Sequence, residues 1–157
     1  QEDVFREMLE NSSADKDDSL HKGFIKRVLK SVWPLPSRNK HTLLHGDFWP
    51  GNTLWRNGRL AAVIDWEDAA VGDPLADLAN GRLEILFQFG VEAMKDFTDQ
   101  YRSLVGNMDF IHLPYWDLCA ALRLSAFPEW GLDEVVEKRM RERHAFFVKQ
   151  AMEELSI

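Results

Sequence analysis

The chain is poor in cysteine, with only Cys119 among its 157 residues. A single cysteine excludes an internal disulfide framework and a cysteine-based zinc site. No apolar run approaches the roughly 20 residues that a bilayer-spanning helix needs. The first residues also lack the basic-then-apolar pattern of a signal peptide. These absences predict a cytoplasmic protein without membrane association.

Positive charge is also scarce, because 19 Lys and Arg stand against 26 Asp and Glu, for a net charge of −7. Nucleic-acid binding needs a basic face, so this balance argues against a nucleic-acid partner. An acidic cleft attracts cations, which favours a cationic small molecule as the ligand. The apolar fraction of 45% is ordinary for a globular domain, and the length allows one domain with a core.

A phosphate-covering loop is missing as well. Neither Gly-x-Gly-x-x-Gly nor Gly-x-x-x-x-Gly-Lys occurs anywhere in the chain. The lysines before residue 45 lie in a loop, in a helical pattern or on the approach to a strand, so none is predicted to be a strand lysine that pairs with nucleotide phosphates. They are Lys16, Lys22, Lys26, Lys30 and Lys40.

Helical periodicity dominates what is present, and it indicates a mostly α fold of the α+β class. The segments with this period are 1–10, 20–32, 75–87, 91–104, 115–124 and 133–152. Residues 11–18 are polar and are predicted to form a loop. The middle of the chain differs, because 42–44, 53–56 and 59–64 are predicted to be strands. The expected architecture is a helical lobe with a small β-hairpin at its centre.

The dipeptide Asn57-Gly58 predicts the hairpin, since a type I′ turn needs positive φ at both central residues. A two-residue turn places Leu54 opposite Ala61. The same register continued puts Asn52 opposite Val63. Neighbouring strands lie roughly 5 Å apart, so both strands deliver their last polar residues to one open end.

Three oxygen-bearing side chains are expected to meet at that open end: Asp47, Asn52 and Asp65. Hard oxygen ligands suit Mg²⁺, which takes few protein ligands and completes its shell with water and phosphate oxygens. The remaining carboxylate, Asp47, is then free to accept or orient a hydroxyl proton. The step of five residues from Asp47 to Asn52 is also that of the protein-kinase catalytic loop. The spacing therefore predicts phosphoryl transfer.

Three motifs, residues 45–52 (HGDFWPGN), 64–67 (IDWE) and 72–79 (GDPLADLA), resemble the aminoglycoside phosphotransferase and choline kinase-like family. The resemblance covers about residues 42–79, with the motifs in the family's order. It implies that residues 1–157 form a protein kinase-like C-terminal lobe whose N-terminal nucleotide lobe is absent. It also implies ATP as co-substrate, Mg²⁺ as cofactor and a small, aminoglycoside-like hydroxyl acceptor.

Carried over residue by residue, the resemblance gives Asp47 the catalytic role, orienting the acceptor hydroxyl. It makes Asn52 and Asp65 the ligands of magnesium. It gives His45 and Asp73 a structural role in supporting the loop. It makes Glu67 and Trp49 candidates for substrate contact.

Two further hypotheses stay open, a metal-dependent phosphoester hydrolase and a non-catalytic, kinase-like binding or regulatory remnant. A two-metal hydrolase normally needs more His and carboxylate ligands than the hairpin offers. Without a nucleotide lobe, the chain alone is expected to be inactive. Acceptor specificity is expected in the helices after Ala79, where the candidates for meeting a cationic acceptor are Glu84, Asp117, Glu129, Asp133 and Glu134.

Overall fold

The computed structural model describes residues 6, 8–10 and 20–157. Of the helix predicted over 1–10, the described residues are helical, and the loop predicted over 11–18 lies outside the described part. The elements are α1 (Lys22–Val32), β1 (Thr42–Leu44), β2 (Thr53–Arg56), β3 (Arg59–Val63), β4 (Ala70–Gly72), α2 (Leu75–Phe89), α3 (Val91–Leu104), α4 (Leu113–Arg123) and α5 (Glu134–Leu155). Two short 3₁₀ segments, Pro50–Asn52 and Leu124–Trp130, complete them.

The helix boundaries follow from local chemistry at their ends. Helix α2 begins directly after Pro74, where the Asp73 carboxylate accepts the backbone N–H of Leu75 at 3.0 Å. Gly90, at φ 93°, ends α2 and opens α3. Asp133 caps α5 by accepting the N–H of Val135 at 2.9 Å, which is the usual role of Asp at this position. The six predicted helices are therefore present wherever the structure describes them, with ends that shift by a few residues.

The core is formed mainly by α2, α4 and α5, which contribute most of the buried apolar side chains. Among these are Leu83, Leu86, Phe87, Leu118 and Phe147. The same core encloses one ion pair, in which Arg82 donates to both oxygens of Asp117 at 3.1 Å. Asp117 is only 1% exposed and is committed to Arg82, so its predicted role as an acceptor contact is wrong.

The strands form two separate antiparallel pairs. Strand β1 pairs with β4, with Leu43 opposite Val71. The three-residue strand β4 was not predicted, because it is too short for an alternating pattern to show. This pair brings the start of the third motif, at Gly72, back beside the segment that leads into the first motif.

The β2–β3 hairpin turns at Asn57-Gly58 as predicted, with φ of 53° and 73° at the two residues. The predicted register is wrong beyond Trp55, because a β-bulge makes Leu54 pair with Ala62 instead of Ala61. Such a bulge inserts one extra residue into one strand. Asn52 consequently lies beside Ile64, whose N–H donates to the Asn52 carbonyl at 2.9 Å. This places Asn52 next to the residue that precedes Asp65.

No helix in the described part of the chain has the length and apolar character that a bilayer-spanning segment requires.

Candidate active site

The loop formed by residues 45–48, called here the catalytic loop, leaves β1 and is held first by helix α2. The carboxylate of Asp77 accepts the N–H of His45 at 2.6 Å and the N–H of Gly46 at 3.0 Å. Gly46 has φ of 86°, and a Cβ there would overlap the backbone of Asp68. Glycine is required at this point because the close approach leaves no room for a Cβ and the positive φ disfavours one.

His45 joins the catalytic loop to the segment that carries Asp65. Its side chain is 3% exposed, and its Nε2–H donates to the Ile64 carbonyl at 2.7 Å. Its Nδ1 accepts the N–H of Asp47 at 3.3 Å, which assigns the proton to Nε2. The Trp66 ring packs on the imidazole at 4.6 Å between centroids. Both ring nitrogens are therefore engaged by backbone groups of the two loops.

The loop carbonyls are held by two amide side chains. Asn52 donates through Nδ2 to the Asp47 carbonyl at 3.0 Å, and Asn80 of α2 donates to the Phe48 carbonyl at 3.1 Å. A carbonyl can only accept, so the Asn52 amide is oriented with its oxygen facing away from the loop. That oxygen makes no hydrogen bond within residues 20–157, although Asn52 is only 5% exposed.

The carboxylate of Asp47 is held on one side only. Arg123, at the end of α4, donates through Nη2 to Asp47 Oδ1 at 3.1 Å and through Nη1 to the Gly46 carbonyl. Oδ2 of Asp47 makes no hydrogen bond with any residue that the structure describes, and the side chain is 36% exposed. Sequence reasoning missed Arg123, because it stands 76 residues from Asp47 and belongs to no motif.

Asp65 lies on the other side of this site and is exposed. Its φ of 65° is uncommon for a residue other than glycine, and such backbone strain concentrates at functional positions. The bulged hairpin brings its chain neighbour Ile64 against both His45 and Asn52. Within the described residues, no three His, Cys, Asp or Glu side chains converge on one point. The available donor set is one amide oxygen and one carboxylate, which fits Mg²⁺ bound mainly through phosphate and water oxygens.

Of the remaining predicted site residues, Trp49 and Glu67 are exposed and Asp73 is buried. Trp49 is 37% exposed and its ring covers Gly51, where a Cβ would overlap the indole. Glu67 is exposed and has no hydrogen bond or ion pair in the described part of the chain. Asp73 accepts from Asn39 at 3.2 Å as well as from the start of α2, so it holds the chain before β1 to that helix. Direct contact with the catalytic loop is made by Asp77 instead.

Glu84 stands out among the candidates for meeting a cationic acceptor. Its pKa is raised to about 7, chiefly by burial and also by the nearby Asp47 charge, while Arg123 opposes both. It is 7% exposed and pairs with no side chain in the described part of the molecule. Asp133 is committed to capping α5. Glu84 is thus a buried carboxyl that shares the electrostatic environment of Asp47.

This fold has a counterpart among solved structures, a thermostable mutant of aminoglycoside phosphotransferase APH(4)-Ia in its apo form. The match has a TM-score of 0.63 at 19% identity and covers 95% of this chain but 52% of that one. The chain therefore has the fold of part of a kinase-like phosphotransferase. The Phosphotransferase enzyme family matches residues 3–113, and the chain belongs to this family.

Curated relatives match over shorter segments. Hygromycin-B 4-O-kinase of Escherichia coli is 50% identical over 49 residues, which are 31% of this chain and 14% of that protein. Acyl-CoA dehydrogenase family member 10 of Mus musculus is 35% identical over 68 residues, which are 42% of this chain and 6% of that protein. In both comparisons the chain spans only a small part of the relative's length.

Proposed function

We propose that this chain is the catalytic half of an ATP-dependent phosphotransferase that moves the γ-phosphoryl group of ATP to a hydroxyl of a small molecule. The observation that carries the proposal is the state of Asp47. Six backbone groups of its loop, from the His45 N–H to the Phe48 carbonyl, are hydrogen-bonded, while one carboxylate oxygen stays open. A rigid loop with one free acceptor oxygen suits the orientation of a hydroxyl.

In the proposed reaction, the acceptor hydroxyl donates its hydrogen bond to Asp47 Oδ2. As the hydroxyl oxygen bonds to the γ-phosphorus, the bond to the β,γ-bridging oxygen breaks and ADP leaves. The hydroxyl proton passes to Asp47 and then to solvent. Catalysis of this kind comes mostly from positioning and charge neutralisation, so the rigidity of the loop is the principal contribution of the protein.

The nucleotide phosphates are proposed to face Asn52 and Asp65. The free amide oxygen of Asn52 and the exposed carboxylate of Asp65 would hold Mg²⁺, which when bound neutralises the charge of the phosphates. His45 keeps these two segments in register, because it hydrogen-bonds the backbone of Asp47 and of Ile64. Asp73 supports the same framework from the start of α2.

The acceptor is proposed to be an amino-bearing alcohol of the aminoglycoside type. The similarity to hygromycin-B 4-O-kinase supports this class. The acidic balance of the chain and the buried carboxyl of Glu84 near Asp47 are consistent with a cationic acceptor. Trp49 and Glu67, at the rim, are proposed substrate contacts.

The nucleotide-covering half is proposed to come from a separate N-terminal lobe. The chain corresponds to 52% of the matched phosphotransferase structure, and its sequence has no glycine-rich phosphate loop. We therefore expect the 157-residue chain alone to show no turnover with Mg-ATP and an amino-alcohol panel. Turnover at ordinary enzymatic rates would contradict this expectation.

The proposed function is tested by Asp47→Ala in the complete two-lobed protein, using an ADP-coupled assay with the acceptor panel. We expect acceptor-dependent ADP formation in the wild type and none above background in the variant. Asp99→Ala, which removes an exposed carboxylate from α3, is the matched control and should retain activity. Wild-type activity in Asp47→Ala would refute the assigned mechanism. Hydrolysis of a generic phosphoester without ATP would favour a hydrolase, and inactivity of the wild type towards every acceptor would favour a non-catalytic remnant.

A further inference from the structure

Arg123 makes an unusual number of contacts for a side chain that belongs to no motif. Nη1 donates to the Gly46 carbonyl and to Asn80 Oδ1 at 3.4 Å. Nη2 donates to Asp47 Oδ1 at 3.1 Å and to Asp68 Oδ2 at 3.4 Å. The two terminal nitrogens of an arginine carry four N–H groups, and four acceptors surround them here. One cation from α4 thus joins α2, the catalytic loop and the segment after Asp65.

We propose that Arg123 is a positioning residue that fixes Asp47 Oδ1 so that Oδ2 alone faces the acceptor hydroxyl. This inference rests on the proposed function of Asp47. A carboxylate rotates about its Cβ–Cγ bond, and a free carboxylate presents either oxygen over a range of directions. The contact to Oδ1 removes that freedom. The contact to the Gly46 carbonyl fixes the backbone immediately before the same residue.

The geometry requires arginine and not merely a positive charge. Four acceptors on three segments lie around a planar guanidinium, whereas an ammonium has three donors at one point. Asn80 fits this arrangement, because its amide nitrogen holds the Phe48 carbonyl and its oxygen accepts from Arg123. The guanidinium and Asn80 together therefore hold both ends of the segment from Gly46 to Phe48.

The same contacts argue against a direct role for Arg123 on the phosphoryl group. Its terminal N–H groups are all directed at protein acceptors, and its side chain is 31% exposed. A residue that stabilises a transferring phosphoryl group needs donors free to reach it. Arg123 acts through Asp47 instead.

The test compares Arg123→Lys and Arg123→Gln with wild type in the complete phosphotransferase. We expect kcat to fall about 100-fold in Arg123→Gln and about tenfold in Arg123→Lys, with KM for ATP unchanged, because misplacement of a reacting group costs factors of this order. Arg141→Gln breaks an ion pair of α5 with Glu137 and is the matched control, expected to keep both constants.

A second readout follows the charge of Arg123 at the site. Arg123 lowers the pKa of Glu84, so carboxyl-carbon NMR of Arg123→Gln should show the pKa of Glu84 above its wild-type value of about 7. Arg141→Gln should leave that titration in place. A purely structural loss of packing would lower the melting temperature without this shift.

The outcomes separate the inference from the function on which it rests. If both Arg123 variants keep wild-type kcat while Asp47→Ala is inactive, the function stands and the positioning role is refuted. If Asp47→Ala is active, the function fails and the inference fails with it. An increase of kcat in Arg123→Gln would show that Arg123 blocks Asp47 and would also refute the role. Should Arg123→Gln not fold, the kcat of Arg123→Lys decides.

Discussion

The two sides of the site differ in how the chain holds them. Asp47 stands in a loop whose neighbouring backbone groups are bonded to α2, to α4 or to His45, and only one carboxylate oxygen remains free. Asp65 stands on an exposed segment with a left-handed backbone. The hairpin beside it exposes large apolar side chains, including Trp55 at 65% and Leu60 at 52%.

This difference indicates which part of the site the chain organises by itself. The side proposed to orient the hydroxyl is preorganised, because its hydrogen bonds are all made within the described helices and loops. On the proposed metal side, Asn52 is held through its bond to the Asp47 carbonyl, but the Asp65 side chain has no such contacts in the part of the chain that the structure describes. On our account, the nucleotide, its metal ion and the second lobe supply those contacts. Substitutions that loosen the loop of Asp47 should therefore lower stability strongly. Substitutions on the proposed metal side should lower activity with little loss of stability.

The largest expected effect comes from closing the tight approach at Gly46. Gly46→Ala should lower the free energy of unfolding by about 4 kcal/mol, since it adds a backbone overlap to a left-handed conformation. Gly58→Ala is the control, with similar φ but open space around it, and should lose about 1 kcal/mol. Urea unfolding of the chain measures both. Equal losses would mean that the approach to Asp68 does not constrain the loop.

Removing the contact from α2 should have the next largest effect. Asp77→Ala leaves the N–H groups of His45 and Gly46 without their charged acceptor, which should lower the free energy of unfolding by about 3 kcal/mol. Asp133→Ala removes one helix-capping bond and should lose about 1 kcal/mol. Urea titration distinguishes the two. A loss in Asp77→Ala no greater than in Asp133→Ala would show that the loop is not held through Asp77.

Glu84 predicts a pH dependence of stability. The ordinary pKa of a glutamate is 4.5, and that of Glu84 in the folded chain is about 7. Between pH 4.5 and pH 7 the folded chain therefore binds more protons than the unfolded one. Stability must then fall as the pH rises through this window. Relative to Glu84→Gln, the wild type should lose roughly 2 kcal/mol between pH 5 and 7. Burial also raises the pKa of Asp117, but that contribution is common to both proteins and cancels in the difference.

The control for this effect is the same comparison of Glu84 with Glu84→Gln, made in a protein that also carries Asp47→Asn. The Asp47 charge raises the pKa of Glu84, so its removal should shrink the pH-dependent difference. Urea unfolding at several pH values measures it. A stability difference between wild type and Glu84→Gln that does not change with pH, or that increases as the pH rises, would contradict the placement of Glu84 beside Asp47.

The smallest effect on stability is expected at Asp65. Asp65→Asn should change the free energy of unfolding by less than about 0.5 kcal/mol, because the side chain is exposed and lies outside the loop contacts. In the complete protein the same variant should lose magnesium-dependent transfer. Thermal unfolding and the coupled assay test the two halves of this expectation. Strong destabilisation by Asp65→Asn would contradict the proposed difference between the two sides of the site.

Periodicity and turn chemistry were sufficient to predict the helices and the position of the hairpin turn, because both are local. The dipeptide Asn57-Gly58 determines its own turn whatever surrounds it. The register beyond Trp55 could not be predicted, since the extra residue at the bulge has no marker in the sequence. Because of the bulge, Asn52 lies one residue nearer to Asp65 along β3 than the predicted register would place it.

The sequence also predicted the motif residues of the candidate site, but it did not predict the groups that hold them. Arg123 and Asn80 reach the catalytic loop only after α2 and α4 pack, and their separations from it of 76 and 32 residues carry no spacing signal. Asp77 lies in the first turn of α2, where an acidic residue suits the helix dipole, so its sequence position alone does not indicate that it braces a loop. Contacts between distant segments arise from tertiary packing, so the sequence did not predict them and only the folded structure reveals them.

The most direct test of the account uses phosphorus NMR on the complete protein with Mg-ATP and an amino-bearing alcohol. We predict a phosphate monoester on the alcohol, formed together with ADP in equal amount, for the wild type, and neither product for Asp47→Asn. The same monoester formed at the wild-type rate by Asp47→Asn would contradict the account.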